Sequence, residues 1–140
     1  VYKRQDEMVL TPTYHVFRMY VPHQGAEVLP LYFKTESVRD RYNEPVDLLT
    51  ATASRAEDGT ITLSMANVDL ERPCRVTVAL DDDRRYDVSG EVLTAENIND
   101  HNTFENPDCV HPVDFDGFEA ARGSITVTVP AKSIVSLTLK

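Results

Sequence analysis

Four runs of strictly alternating residues constrain this chain more than anything else in it. Ile61, Leu63 and Met65 alternate with Thr62, Ser64 and Ala66, and Val76, Val78 and Leu80 with Arg75, Thr77 and Ala79. Ile125, Val127 and Val129 share one side of a third run, and Val135, Leu137 and Leu139 oppose Ile134, Ser136 and Thr138 in a fourth. A period of two is the signature of a strand with one buried and one open face. Such strands need a second layer, so the pattern predicts an antiparallel β-sandwich with a core of Ile61, Leu63, Met65, Val76, Val78, Ile125, Val127, Val135, Leu137 and Leu139.

The remaining β signals fit that frame. Val46–Ala56 and Thr60–Asn67 flank Glu57-Asp58-Gly59 and read as a hairpin. Val28–Phe33 reads as an edge strand, because Pro30 interrupts it. Thr35–Glu44 is polar and reads as loop, and Tyr86–Leu93 reads as a strand with Gly90 as a candidate bulge. That gives about seven strands at short spacing with no long helix between them, a mostly β, jelly-roll-like sandwich.

One stretch breaks the alternation. Leu93–Pro107, LTAENINDHNTFENP, gathers Asn97, Asn99, Asn102 and Asn106 with His101, Phe104 and Pro107. Ala95–Asp100 could make one helical turn with Thr94 as N-cap. The Asn and Asp side chains favour a specific ordered loop, since they bond nearby backbone groups. The N-terminal part also differs. Met8–Leu10 is a short apolar run, and Thr11-Pro12 is a helix start with Thr at the N-cap and Pro first in the helix. Tyr14, Phe17 and Val21 fall on one face, widened by Val16, Met19 and Tyr20, and Pro22 and Gly25 limit the helix. This places a domain boundary near Gly25. A helix this short and this apolar is expected to dock partly on the sandwich and leave a free face.

Several function classes are disfavoured. A net charge of −9 argues against a phosphate-binding surface, so no nucleic-acid partner is expected. No apolar run approaches the roughly 20 residues of a membrane span, and VYKRQDEM has no apolar segment of a signal peptide behind it. The expectation is a cytoplasmic protein with Cys74 and Cys109 as free thiols. Among the acids, Glu44, Glu57, Glu71, Glu91, Glu96, Glu105 and Glu119 are the candidates for a catalytic pair and read as solvated surface, with Glu105 more apt to bond backbone amides. Asp81–Asp83 lacks the alternating ligands and Gly of a calcium loop. His15, His23, His101 and His111 lack zinc spacing, and no serine lies in a nucleophile-elbow motif. No catalytic, cofactor-binding or metal-binding residue is therefore assigned. Tyr32, Phe33, Tyr42, Tyr86, Phe104, Phe115 and Phe118 could stack on sugar, though packing is the default role for each.

Two stretches carry a resemblance: MVLTPTYHVFRMYVPHQGAEVLP (Met8–Pro30), and VLTAENINDHNTFENPDCVHP (Val92–Pro112) with the closing PAKSIVSLTLK. Together they resemble the C-terminal part of α-L-arabinofuranosidases of glycoside hydrolase family fifty-one. The similarity runs from Asp6 to Lys140. Val1–Gln5 does not fit the pattern and is set apart as foreign sequence. The resemblance implies a (β/α)8 barrel followed by a β-sandwich. Met8–Leu10 would be the last barrel strand, Pro12 to about Gln24 the last barrel helix, and residues from Ala26 onward the sandwich. It implies a retaining hydrolase that releases terminal arabinofuranosyl groups from arabinose-containing saccharides with two Glu residues, and a homo-oligomer when complete. Neither Glu motif occurs here, so neither is carried over and the chain alone is expected to be inactive. An autonomous sugar-binding module is the alternative.

Overall fold

A computed structural model describes residues 1–4 and 6–140. In chain order, β1 (Tyr2–Arg4) and β2 (Glu7–Val9) precede the helix α1 (Pro12–Tyr20) and a single 3-10 turn, Val21–His23. Then come β3 (Glu27–Leu29), β4 (Ser37–Arg39), β5 (Pro45–Asp47), β6 (Leu49–Arg55), β7 (Ile61–Asn67), β8 (Cys74–Ala79) and β9 (Val88–Thr94). The last strands are β10 (Val113–Asp114), β11 (Phe118–Ala121), β12 (Ser124–Val129) and β13 (Ser133–Leu139).

Two antiparallel sheets face each other. One has six strands in the order β10-β9-β13-β7-β6-β3, the other three in the order β11-β12-β8. Their facing sides share one core. Leu63, Met65, Val135, Leu137 and Leu139 meet Ile125, Val127 and Val129 there, and Val76 and Val78 pack against it from β8. The register explains why: Val135 lies opposite Met65 and Val92, and Val127 opposite Val76, so each inward side chain has inward neighbours. The turn Ala56–Thr60 closes the β6–β7 hairpin with Gly59 at φ 87°, where a side chain would be strained.

Three local expectations are corrected. Gly90 makes no bulge: it pairs in continuous register with Leu137. Its role is close approach, since a Cβ there would lie 2.7 Å from Leu137 Cδ2 and 3.0 Å from the Phe115 carbonyl oxygen. Gly90→Ala is expected to destabilise the chain by about 1–3 kcal/mol through overpacking; an unshifted denaturation midpoint would contradict this contact. Secondly, the polar Thr35–Glu44 stretch is not all loop. β4 and β5 form a projecting hairpin with Val38 opposite Val46. Its turn is built by Asp40 Oδ1, which accepts from the Tyr42 and Glu44 amides, and by Asn43 at φ 65°. Thirdly, Thr94 caps no helical turn; it ends β9, and its hydroxyl donates to the Lys132 carbonyl at 3.2 Å. The expected edge strand stops at Leu29, ahead of Pro30. Leu31 still turns into the core while Tyr32 and Phe33 point outward.

Thr11 caps α1 as expected, its hydroxyl accepting from the Tyr14 amide at 3.3 Å, with Pro12 first in the helix. The buried face is not the Tyr14–Phe17–Val21 face. His15 and Met19 point inward with Val16 and Tyr20 beside them, and Phe17 is 73% exposed. Apolar residues surround most of this helix, so periodicity alone did not select a side. The selection comes from Leu93, Val110 and Ile134, against which Met19, Val16 and Tyr20 pack. The helix therefore covers the outer face of the six-stranded sheet, in contact with β9 and β13.

The β2 strand runs antiparallel to β1, with Tyr2 opposite Val9.

Candidate functional site

The chemistry-bearing side chains converge where α1, the 3-10 turn and the Asn-rich loop meet the outer sheet face. His23 is the link from the turn. Its Nδ1 lies 2.7 Å from Ser54 Oγ and its Nε2 2.9 Å from Ser64 Oγ, and Ser64 Oγ is 3.3 Å from Ser136 Oγ. Alternation alone would leave Ser54, Thr62, Ser64 and Ser136 in water on the outer face; instead all four are buried. A neutral imidazole satisfies this arrangement by donating from one nitrogen and accepting at the other. The Ser–His contact cannot act on a substrate, because Ser64 is wholly enclosed. It fastens the turn to β6 and β7.

Asn102 is the second link. It is 2% exposed, and its Nδ2 donates to the Leu10 carbonyl at 2.7 Å and the Val110 carbonyl at 2.8 Å. Its Oδ1 accepts from the Val110 amide at 2.6 Å. One side chain thus ties the entry of α1 to the far end of its own loop. A third link is Arg18, whose Nη2 donates to Glu91 Oε2 at 2.9 Å across to β9.

Burial pushes the imidazoles of both His23 and His15 below their ordinary value of about 6.5; for His15 the Arg18 charge and then His111 add to this. His15 Nδ1 is buried and has no hydrogen-bond partner among the described residues. The unfolded chain then binds protons that the folded chain refuses. The stability from these sites is complete above the ordinary value and falls as pH drops from there towards the lowered folded values. The denaturation midpoint should therefore be lower at pH 5.5 than at pH 7.5. Equal midpoints at the two pH values would contradict the burial of these rings.

The other residues weighed from the sequence are scattered. Glu44, Glu57, Glu71, Glu96, Glu105 and Glu119 are exposed, and Glu91 is engaged by Arg18. Glu119 lies 3.5 Å from Arg75. Asp82 in the acidic run is held by its own neighbours: the Arg84 Nε and the Tyr86 hydroxyl each donate to its Oδ2 at 2.8 Å. That holds its carboxyl below the usual carboxylate range. His101 and His111 sit exposed in the loop, each 2.7–2.9 Å from a backbone carbonyl. Among the described residues no cluster of three or more His, Cys, Asp or Glu is arranged to hold a metal ion. Cys74 and Cys109 are unpaired thiols, the first half-buried with its thiol pushed up by burial. Of the aromatic residues, Tyr86 is buried and Phe115 and Phe118 pack against the core, whereas Tyr32, Phe33 and Tyr42 are exposed. Sequence reasoning missed the roles of His23 and Asn102. The Asn-rich composition was the signal available for the second; the buried serine face offered none for the first.

The family described as "Alpha-L-arabinofuranosidase C-terminal domain" matches residues 1–133. The chain belongs to this family. An intracellular exo-α-L-arabinofuranosidase of Bacteroides ovatus is 42% identical over 137 residues, which is 98% of this chain and 27% of the relative. The GH51 arabinofuranosidase structure from Xanthomonas axonopodis pv. citri superposes with a TM-score of 0.89 at 37% identity, over 99% of this chain and 28% of that one. An arabinofuranosidase structure from Thermotoga maritima in complex with arabinose shares the fold at 22% identity with a TM-score of 0.83, over 97% of this chain and 30% of that one. The chain thus spans under a third of the length of these relatives. The matched stretch includes Val1–Gln5, so these residues are part of the family's pattern and not foreign to it; Gln5 itself lies outside the described residues. No helix among the described residues is long and apolar enough to cross a membrane.

Proposed function

We propose that this chain is the non-catalytic C-terminal domain of a retaining α-L-arabinofuranosidase, a glycoside hydrolase that releases terminal arabinofuranosyl groups from arabinose-containing saccharides. The observation that carries the reading is the 42% identity over 98% of the chain to a protein named for that activity. The surface placement of the weighed acids supports the second half of it. Retaining hydrolysis needs two carboxyl groups about 5–5.5 Å apart in a site that takes the sugar. Here Glu91, the one acid of that set that is not exposed, is ion-paired with Arg18. The catalytic pair then belongs to a barrel elsewhere in the longer protein.

In this reading the domain supplies a rigid support. Residues 1–25 form the junction with the barrel, with α1 as a layer common to both bodies. Its Met19 face belongs to the sandwich, and its Tyr14–Phe17 face turns to the barrel. The complete enzyme is a homo-oligomer and works inside the cell, where the two unpaired thiols are stable. The test is direct: the purified chain should release no aglycone from an aryl α-L-arabinofuranoside above a mock preparation. Turnover by the chain would overturn the reading. Saturable binding of arabinan oligosaccharides that is lost in Tyr32→Ala would favour an autonomous sugar-binding module instead.

A further inference from the structure

An open groove lies beside the start of α1. It is lined by Pro12 and by Leu93, Val110 and Ile134, the buried residues that carry the helix, together with Val68, Leu70 and Ile98. Leu70 is 55% and Ile98 68% exposed. The groove holds about 450 Å³ and its lining is chiefly apolar. Leu93 and Val110 are themselves buried, whereas Val68, Leu70 and Ile98 around them stay wet in this chain. An apolar recess flanked by large exposed aliphatic side chains is a surface built to be covered.

The hairpin register says what lies at hand to cover it. Tyr2 sits opposite Val9, so Val1 emerges beside Leu10, whose carbonyl is pinned by Asn102 and which is two residues from Pro12 in the groove lining. Polypeptide preceding Val1 would leave the domain at the mouth of the groove, where tethering raises its local concentration far above that of any free partner. The relatives are more than three times as long as the stretch they share with this chain, which leaves room for such a polypeptide.

We infer that the Val68–Leu70–Ile98 groove is the seat of the segment that precedes Val1 in the longer protein. This makes it a specific contact between the N-terminal body and the sandwich, and it rests on the function proposed above. Ile98 and Leu70 are spokes of that contact, and neither supports the fold of the sandwich itself.

Thiol labelling tests this. Ile98→Cys and, separately, Leu70→Cys are introduced into this chain and into the full-length polypeptide. Maleimide labelling is then read peptide by peptide, so that Cys74 and Cys109 do not interfere. Both new thiols should label in the chain and lose that labelling in the full-length protein. Equal labelling in the two would overturn the inference. So would protection in the chain alone that grows with its concentration, because a second copy would then be the occupant. The same full-length preparation is assayed on an aryl α-L-arabinofuranoside. An active protein with labelled thiols sinks the groove assignment alone, whereas an inactive one sinks the proposed function.

Discussion

Leu137→Ala is expected to destabilise the chain by about 2–5 kcal/mol, towards the upper end of that range. Leu137 is 0% exposed on β13, the strand between β7 and β9. Leu63 lies opposite it on one side and Gly90 on the other. Truncation therefore opens a cavity next to a residue with no side chain to move into it. The Phe115 ring stands 3.2 Å from where a Gly90 Cβ would be, and the Phe115 amide donates to the Gly90 carbonyl at 2.9 Å, which holds it there. Collapse of the site is thus restricted, and the cavity contribution is retained. Urea denaturation measures this as a lower midpoint at unchanged slope. An unchanged midpoint would mean that β13 is slipped by one residue, with Leu137 outside.

Asn102→Ala should have an effect of similar size but different reach. The substitution leaves two carbonyls, of Leu10 and Val110, and the Val110 amide without the partner that now satisfies them. Each such group left unpaired in a buried place costs about 1–3 kcal/mol. Partial hydration should hold the total to about 3–5 kcal/mol. The loss is concentrated at one junction, so α1 and the β1–β2 hairpin should loosen first, and their amides should lose hydrogen-exchange protection before the sheet amides do. Asn102→Asp separates hydrogen bonding from shape. A carboxylate keeps the acceptor for the Val110 amide but cannot donate to two carbonyls, and it would face their oxygens with a negative charge. It should be at least as damaging as alanine. A tolerated Asp would show that the donor bonds to Leu10 and Val110 contribute little.

How much of this was legible beforehand follows from where each signal lies. The runs around Leu63, Val127 and Leu137 were readable because large apolar residues alternate with small or polar ones along each, even though Thr62, Ser64 and Ser136 on the other side are buried too. The β4–β5 hairpin was not, because both of its strands are exposed throughout and each has a single apolar residue, Val38 or Val46. The docking side of α1 was hidden for the opposite reason: too many of its residues are apolar for the period to choose between faces. Ser54, Ser64 and Ser136 read as solvent-facing and are covered by a histidine that precedes Ser54 by 31 residues. For the loop, composition showed that it is ordered, while the partner of Asn102 that matters for α1 is Leu10, 92 residues away, beyond any local pattern. The family resemblance did not depend on these details. It rested on the Met8–Pro30 and Val92–Pro112 stretches, which the structure brings together at the Asn102–Leu10 contact.

The central claim is that this domain supports a retaining arabinofuranosidase without doing its chemistry. It is tested most directly by following an aryl α-L-arabinofuranoside by proton NMR, with the full-length polypeptide and with this chain side by side. The full-length protein should first release arabinose with the α configuration retained, and this chain should release none. Release by the chain, β-arabinose as the first product, or an inert full-length protein would contradict it.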